Sequence, residues 1–220
     1  MFYKYVYFLG KGTGDLYIKV FSSDRIIVSE IYEVEDCWKY DNALSDNTSK
    51  YDTTSANGTT FAYDSTETAY KLTRTSDGFG AILVKDLTVD TNVEISADIK
   101  LTSSNNNQPR LSLYNGNNGV GGRLAKWSGG NDIAICTFTK TADGSTLQSQ
   151  NTSLNWGTYY TVKITFNGST VTEKVYQGDT LLNTVTATQS VLSNSNNVGI
   201  EHVFRNGAIA HFKNLKIKEL

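Results

Sequence analysis

Apolar and polar residues alternate along most of this chain, and small turn-forming residues interrupt the alternation at near-regular intervals. In YYTVKITFNG, residues 159–168, Tyr160, Val162, Ile164 and Phe166 fall on one side, and Tyr159, Thr161, Lys163 and Thr165 on the other. Successive side chains of a strand point to opposite faces, so this run predicts a strand with one dry and one wet face. Asn167 and Gly168 follow, and both tolerate positive φ, which marks a hairpin. Val171, Glu173 and Val175 then alternate with Thr172, Lys174 and Tyr176, and Gln177-Gly178-Asp179 turns the chain again. The same pattern recurs in TAYKLTRTS, FGAILVKDL, VEISADIKLTS, PRLSLYNG, GGRLAKWS, IAICTFTKT, TLLNTVTAT, NNVGIEHVFR and AIAHFKNLKIKEL. No long stretch places apolar residues at i, i+3, i+4 and i+7, so almost no helix is expected. About a dozen short strands with tight connections predict an all-β sandwich or barrel.

The text divides in two. Residues 1–36 hold three strand-like runs, FYKYVYFLG, DLYIKVFSS and RIIVSEIYEV, separated by KGTG and SD. Three such strands are marginal alone. This N-terminal β-segment is expected to pack on the main domain, on another copy, or in a larger assembly. Residues 37–220 form the main domain. Its first part, to about residue 64, is rich in Asp, Asn, Ser and Thr and reads as loop with short strands.

Composition narrows the function. The chain has 220 residues and 13 tyrosines but a single proline, and its net charge is -2, from 20 basic and 22 acidic side chains. No basic stripe is visible along the sequence, so no nucleic-acid partner is expected. No apolar run is long enough to cross a bilayer as a helix, so no membrane insertion is expected. The N-terminus shows no signal peptide. Cys37 and Cys136 are the only cysteines, too few for a disulfide framework or a zinc set, and read as buried thiols against one disulfide. GKGTGD at 10–15 is a turn rather than a phosphate loop, because no Lys-Ser/Thr ending follows.

Trp156, YYTVKITFNG and VTEKVYQGDTLL, together with the closing NNVGIEHVFRNGAIAHFKNLKIKEL, resemble the late strands of concanavalin A-like lectin/glucanase (laminin G-like) jelly rolls. FGAILVKDLTVDTNVEISADIKL resembles their early strand pair. The resemblance covers roughly 37–220 and implies an antiparallel jelly-roll β-sandwich. Two departures matter. The family's last strand often carries an Asp that helps hold a structural calcium, whereas this chain has Lys213-Asn214, so no cofactor is expected. Glucanases of this fold place carboxylates at i, i+2 and i+4 of one strand. Here Glu94 and Asp98 share a face with Ser96 between them, and Glu33 and Glu35 share one that excludes Asp36. No catalytic residue is assigned.

The segment 109–132 holds the candidate ligand site. Arg110, Ser112 and Tyr114 share one strand face, as do Arg123, Ala125 and Trp127, and a hairpin would bring Arg110, Tyr114, Arg123 and Trp127 onto one surface. Aromatic planes stack on sugar rings, and Arg donates to hydroxyls. The competing reading is that Trp127 covers a core edge and both arginines are solvated. His202, beside Glu201 and near Arg205, joins the candidates, although each of the two histidines reads first as a structural imidazole. The expected function is a non-catalytic module binding a glycan or cell-surface polymer, and the context suits a virion or phage-tail adhesion component. A homo-oligomer or virion assembly through residues 1–36 is the partner expected on that view, with a virion or cell-surface location and the cytoplasm as the alternative. Two rival functions remain: a structural, oligomerising sandwich without a sugar ligand, and a hydrolase or lyase of the same fold.

Overall fold

The computed structural model describes residues 16–22, 25–32, 46–102 and 106–220. β1 (Leu16–Ser22) and β2 (Arg25–Tyr32) pair antiparallel in a two-stranded sheet of their own. The first of the three N-terminal runs lies outside the described residues, as does Cys37.

The remaining strands are β3 (Tyr51–Asp52), β4 (Thr59–Asp64), β5 (Ala69–Arg74), β6 (Gly78–Val89), β7 (Asn92–Leu101), β8 (Asn107–Asn115) and β9 (Asn118–Trp127). They continue with β10 (Gly130–Thr139), β11 (Ala142–Asn151), β12 (Tyr159–Asn167), β13 (Thr170–Gln177), β14 (Thr180–Thr188), β15 (Asn196–Phe204) and β16 (Ile209–Glu219). Two seven-stranded antiparallel sheets result. The front sheet runs β11-β10-β9-β8-β15-β6-β3, and the back sheet β14-β13-β12-β7-β16-β5-β4. The chain crosses between sheets at β3 to β4, β5 to β6 to β7 to β8, β11 to β12 and β14 to β15 to β16, so strands distant in sequence become neighbours in a jelly-roll sandwich. The described residues contain no α-helix, only a single 3-10 turn at Thr48–Lys50.

The alternation sets the layers. Val93, Ile95, Ala97 and Ile99 of β7 meet Phe166, Ile164, Val162 and Tyr160 of β12 in register, and with Leu101 all belong to the interior between the sheets. Leu111 and Leu113 of β8, Ile133 and Ile135 of β10, and Val198 and Ile200 of β15 close that interior from the front sheet. β11 has no counterpart among the expected strands. Its sequence, ADGSTLQSQN, is exposed throughout, so it carries no apolar alternation to read. Bulges at Ile135/Cys136 and Cys136/Phe138 bend it relative to β10.

The front sheet is curled. β10 and β6 lie four strand positions apart, about 19 Å across a flat sheet. Yet the rings of Phe79 on β6 and Phe138 on β10 stand 5.6 Å apart, and Cα atoms of β11 come within 8 Å of β6. The outer face of this sheet is therefore concave and carries a second apolar cluster, Phe79, Ala81, Leu83, Tyr114, Ala134, Cys136, Phe138 and Val203. Cys136 is a free, buried thiol within it.

Candidate functional site

Registry across the front sheet stacks the concave face in rungs. One rung reads Ala81, Glu201, Arg110, Arg123, Ala134 and Ser149, one residue from each of β6, β15, β8, β9, β10 and β11. The next, toward the β10–β11 turn, reads Gly199, Ser112, Gly121, Cys136 and Thr146. Beyond it stand Tyr114, Gly119 and Phe138. Trp127 lies at the opposite end of the trough, on β9.

Arg110, Tyr114, Arg123 and Trp127 thus share the face that the strand parity predicts. Their exposures differ. Arg110 and Tyr114 are fully buried, whereas Arg123 and Trp127 are half-buried. The curl explains the difference. The guanidinium of Arg110 packs beside the touching rings of Phe79 and Phe138, its Cζ 5.6 Å and 5.0 Å from their centroids, and Asp143 approaches it to 2.8 Å. Asp143 comes from the start of β11, the strand that bends over the trough. Lys140, in the turn before it, sits over Tyr114.

Tyr114 occupies space left by glycines. A Cβ on Gly119 would fall 2.7 Å from its ring, and a Cβ on Gly199 would fall 2.7 Å from its other edge and 2.9 Å from Ser112 Oγ. Gly199→Ala is expected to lower stability by about 2 kcal/mol through this overpacking, measured by urea denaturation; an unchanged midpoint would mean that the ring moves freely.

His202 does not join the site. Residues 198, 200 and 202 of β15 face the sandwich interior, so its imidazole points away from the trough. Nε2 lies 2.6 Å from Asn107 Oδ1 and donates to it, and burial, with Arg74 nearby, lowers its pKa to about 3. The expectation of a ligand contact there is corrected by strand parity alone. His211 lies on the outer face of the back sheet, with Thr102 Oγ1 2.7 Å from Nδ1 and Asp64 Oδ2 3.2 Å from Nε2.

Glu201 is a residue of this face that the sequence alone does not disclose. It stands directly across from Arg110 on the concave face and has no exposed surface. Burial pushes its pKa up to about 7, against the pull of the Ser112 hydroxyl, which donates to Oε1, and of Arg110. Its signal was a parity match with Arg110, visible only once β15 is known to neighbour β8. Glu173 is a second buried carboxyl, on the interior face of β13 between Val171 and Val175, and burial raises its pKa well above the ordinary value.

Several polar atoms of the trough lack hydrogen-bond partners. They are Gln108 Oε1, Arg123 Nε, Asp132 Oδ1 and Glu201 Oε2, with the Nε and Nη1 of Arg110. Gln108 and Arg110 are neighbours in β8, and Asp132 of β10 pairs with Arg123 at 2.7 Å. Three of these groups, from Gln108, Arg123 and Asp132, border Trp127's end of the trough. Such an array can exchange hydrogen bonds with water or with a polyhydroxylated ligand. On the back sheet, Lys213 stands where the resembling family often has its calcium-holding Asp, and Asn214 follows it. Asn214 adopts a left-handed conformation at a bulge and donates to Asp98 Oδ2 at 2.7 Å.

No known family profile matches the sequence, and neither does any curated protein. Solved structures do match by shape. The carbohydrate binding module CBM66 from Bacillus subtilis aligns at 19% identity and a TM-score of 0.60, over 77% of this chain and 96% of that one. The exoplasmic/lumenal domain of VIP36, in a Ca2+/Man3GlcNAc-bound form, aligns at 12% identity and a TM-score of 0.60, over 78% and 84%. The GH43 BlXynB protein from Bacillus licheniformis aligns at 13% identity and a TM-score of 0.61, over 93% of this chain but 46% of that one. At these identities the likeness establishes the fold: a concanavalin A-like, lectin-type jelly roll.

Proposed function

We propose that this protein is a non-catalytic carbohydrate-binding module that holds a neutral glycan, as on a cell-surface polymer, at the Trp127 end of the front-sheet trough. The observation that carries the reading is the set of partnerless polar atoms beside a half-buried tryptophan. Leaving a buried donor or acceptor unpaired costs about 1–3 kcal/mol, so several on one concave face call for a partner that supplies hydrogen bonds in return. A sugar does so with its hydroxyls while its apolar face stacks on the indole. Arg123 and Asp132 neutralise each other at 2.7 Å, too balanced to select a charged ligand, and their side chains remain 13% and 12% exposed. Two of the shape-matched proteins are a carbohydrate binding module and a Man3GlcNAc-bound domain, which is consistent with this use of the fold.

Hydrolysis fits less well. A glycosidase places two reachable carboxyl groups on either side of the scissile bond. Here Glu201 is sealed from solvent and Asp132 is tied to Arg123.

Titration with a panel of neutral oligosaccharides (glucan, mannan, fructan and galactan series) while following tryptophan emission tests the proposal. Trp127→Ala is expected to weaken binding at least about tenfold, corresponding to the loss of a stacking anchor of about 1.5–2 kcal/mol, with the near-UV circular dichroism otherwise retained. No binding by the wild type to any series, or equal binding by the variant, would overturn it.

A further inference from the structure

The back sheet presents a different chemistry on its outer face. One rung there reads Lys216, Ser96, Lys163, Lys174 and Thr184, drawn from β16, β7, β12, β13 and β14. The rungs on either side add Lys213 beside Asp98, and Lys218 beside Glu94. Lys71 and Lys100 flank His211 further along. Seven lysines thus share this face with four carboxylates, Asp64, Glu67, Glu94 and Asp98, in a chain whose net charge is -2.

One of these carboxylates pairs with a lysine of the face, and the other three contact other side chains. Glu67 holds Lys100 at 2.5 Å, Asp64 meets His211, Asp98 accepts from Thr161 and Asn214, and Glu94 accepts from Thr165. Lys71, Lys163, Lys174 and Lys213 have no carboxylate within ion-pair distance among the described residues. Lys163 and Lys174 stand directly opposite each other on adjacent strands, an arrangement that lowers stability through like-charge repulsion. An anion laid across the rung removes that repulsion.

We infer that this face binds an acidic polysaccharide, an unbranched uronate chain, independently of the front-sheet trough. Adjacent strands stand about 4.8 Å apart, close to the advance of one sugar along an extended chain, so a chain crossing the strands can set successive carboxylates against successive lysines. Single-stranded nucleic acid is the other polyanion a sheet can hold, but it needs bare aromatic faces for its bases. Here the ring of Tyr159 is covered by Lys213 Nζ at 3.9 Å and that of Tyr176 by Lys163 Nζ at 5.5 Å. The lysines are far apart in the chain, which is why no basic stripe shows in the sequence.

Polygalacturonate binding by the full chain, measured by calorimetry over a range of salt concentrations, tests this inference. Four unpaired ammonium groups correspond to a slope of about -3 in log affinity against log salt, taking the single-strand polyelectrolyte value. The double variant Lys163→Glu/Lys174→Glu, altered at outward-facing positions, is expected to weaken binding at least tenfold and to reduce the slope, whereas Trp127→Ala leaves both unchanged. Absence of binding at low salt, affinity indifferent to the double variant, or tighter binding of oligothymidylate than of polygalacturonate would overturn it. Failure of the neutral-glycan titration leaves this result intact, because the two faces are altered separately.

Discussion

Arg110→Ala is expected to lower the unfolding free energy by about 3 kcal/mol, while Arg110→Met stays within about 1.5 kcal/mol of the wild type. The argument turns on what the guanidinium does in the curled sheet. Its planar group packs against both the Phe79 and Phe138 rings where they meet, and the whole side chain is buried. Alanine leaves the volume beside those two rings empty, the cavity cost of a large-to-small change at a buried site. The ionic contribution is smaller. Asp143 is one-third exposed on its side chain and can rehydrate when its partner leaves. Methionine restores most of the volume and removes nitrogens that make no hydrogen bond, and exchange of a buried charge for an apolar group of similar size is often close to neutral. Urea denaturation of the three proteins decides the matter, with Arg110→Ala also losing roughly 6–12 °C in Tm. If methionine proves as damaging as alanine, the charge on Arg110 rather than its bulk holds the curl.

These expectations show which features the chain discloses before folding and which it conceals. Strand parity has a period of two and depends on no distant partner. It was therefore enough to put Arg110, Tyr114, Arg123 and Trp127 on one face, and Tyr160, Val162, Ile164 and Phe166 in the interior. The same parity, applied to Val198 and Ile200, would have turned His202 inward had those two been recognised as interior residues. Sheet order is different, because it is settled by crossovers between β7, β8, β15 and β16 that no local pattern records. That is why Glu201 opposite Arg110, and the lysine rung built from β12, β13 and β16, stayed hidden. β11 was missed for a third reason: as an exposed edge strand it needs no apolar face, so nothing in ADGSTLQSQN distinguishes it from a loop. The curl itself rests on bulges and on glycines that admit Tyr114, features that become meaningful only against their neighbours across the sheet.

The buried titratable groups lead to the second large effect: stability should decline as pH rises from about 5 to 8, driven by Glu173 and Glu201 together, with His202 opposing them below about pH 6.5. An unfolded glutamate titrates near 4.5, whereas the folded Glu201 keeps its proton to about pH 7. Above 4.5 the unfolded chain therefore binds fewer protons than the native one, and native stability falls with rising pH until the folded group also ionises. Across that window the loss amounts to about 3 kcal/mol. Glu173, buried in the interior, has the same sign and continues the fall toward higher pH. His202 acts in the opposite sense. It titrates near 6.5 when unfolded and near 3 when folded, so stability falls as pH drops between those values. Between 4.5 and 6.5 the contributions of His202 and Glu201 offset each other and that of Glu173 remains, which sets the optimum on the acid side of neutrality. Glu201→Gln keeps the shape and removes the proton. Its stability relative to the wild type is expected to improve by about 3 kcal/mol between pH 4.5 and pH 8 in urea denaturation series. A difference between the two proteins that does not change with pH would mean that Glu201 is ionised in the native state, and that the floor of the trough is wetter and more polar than its burial implies.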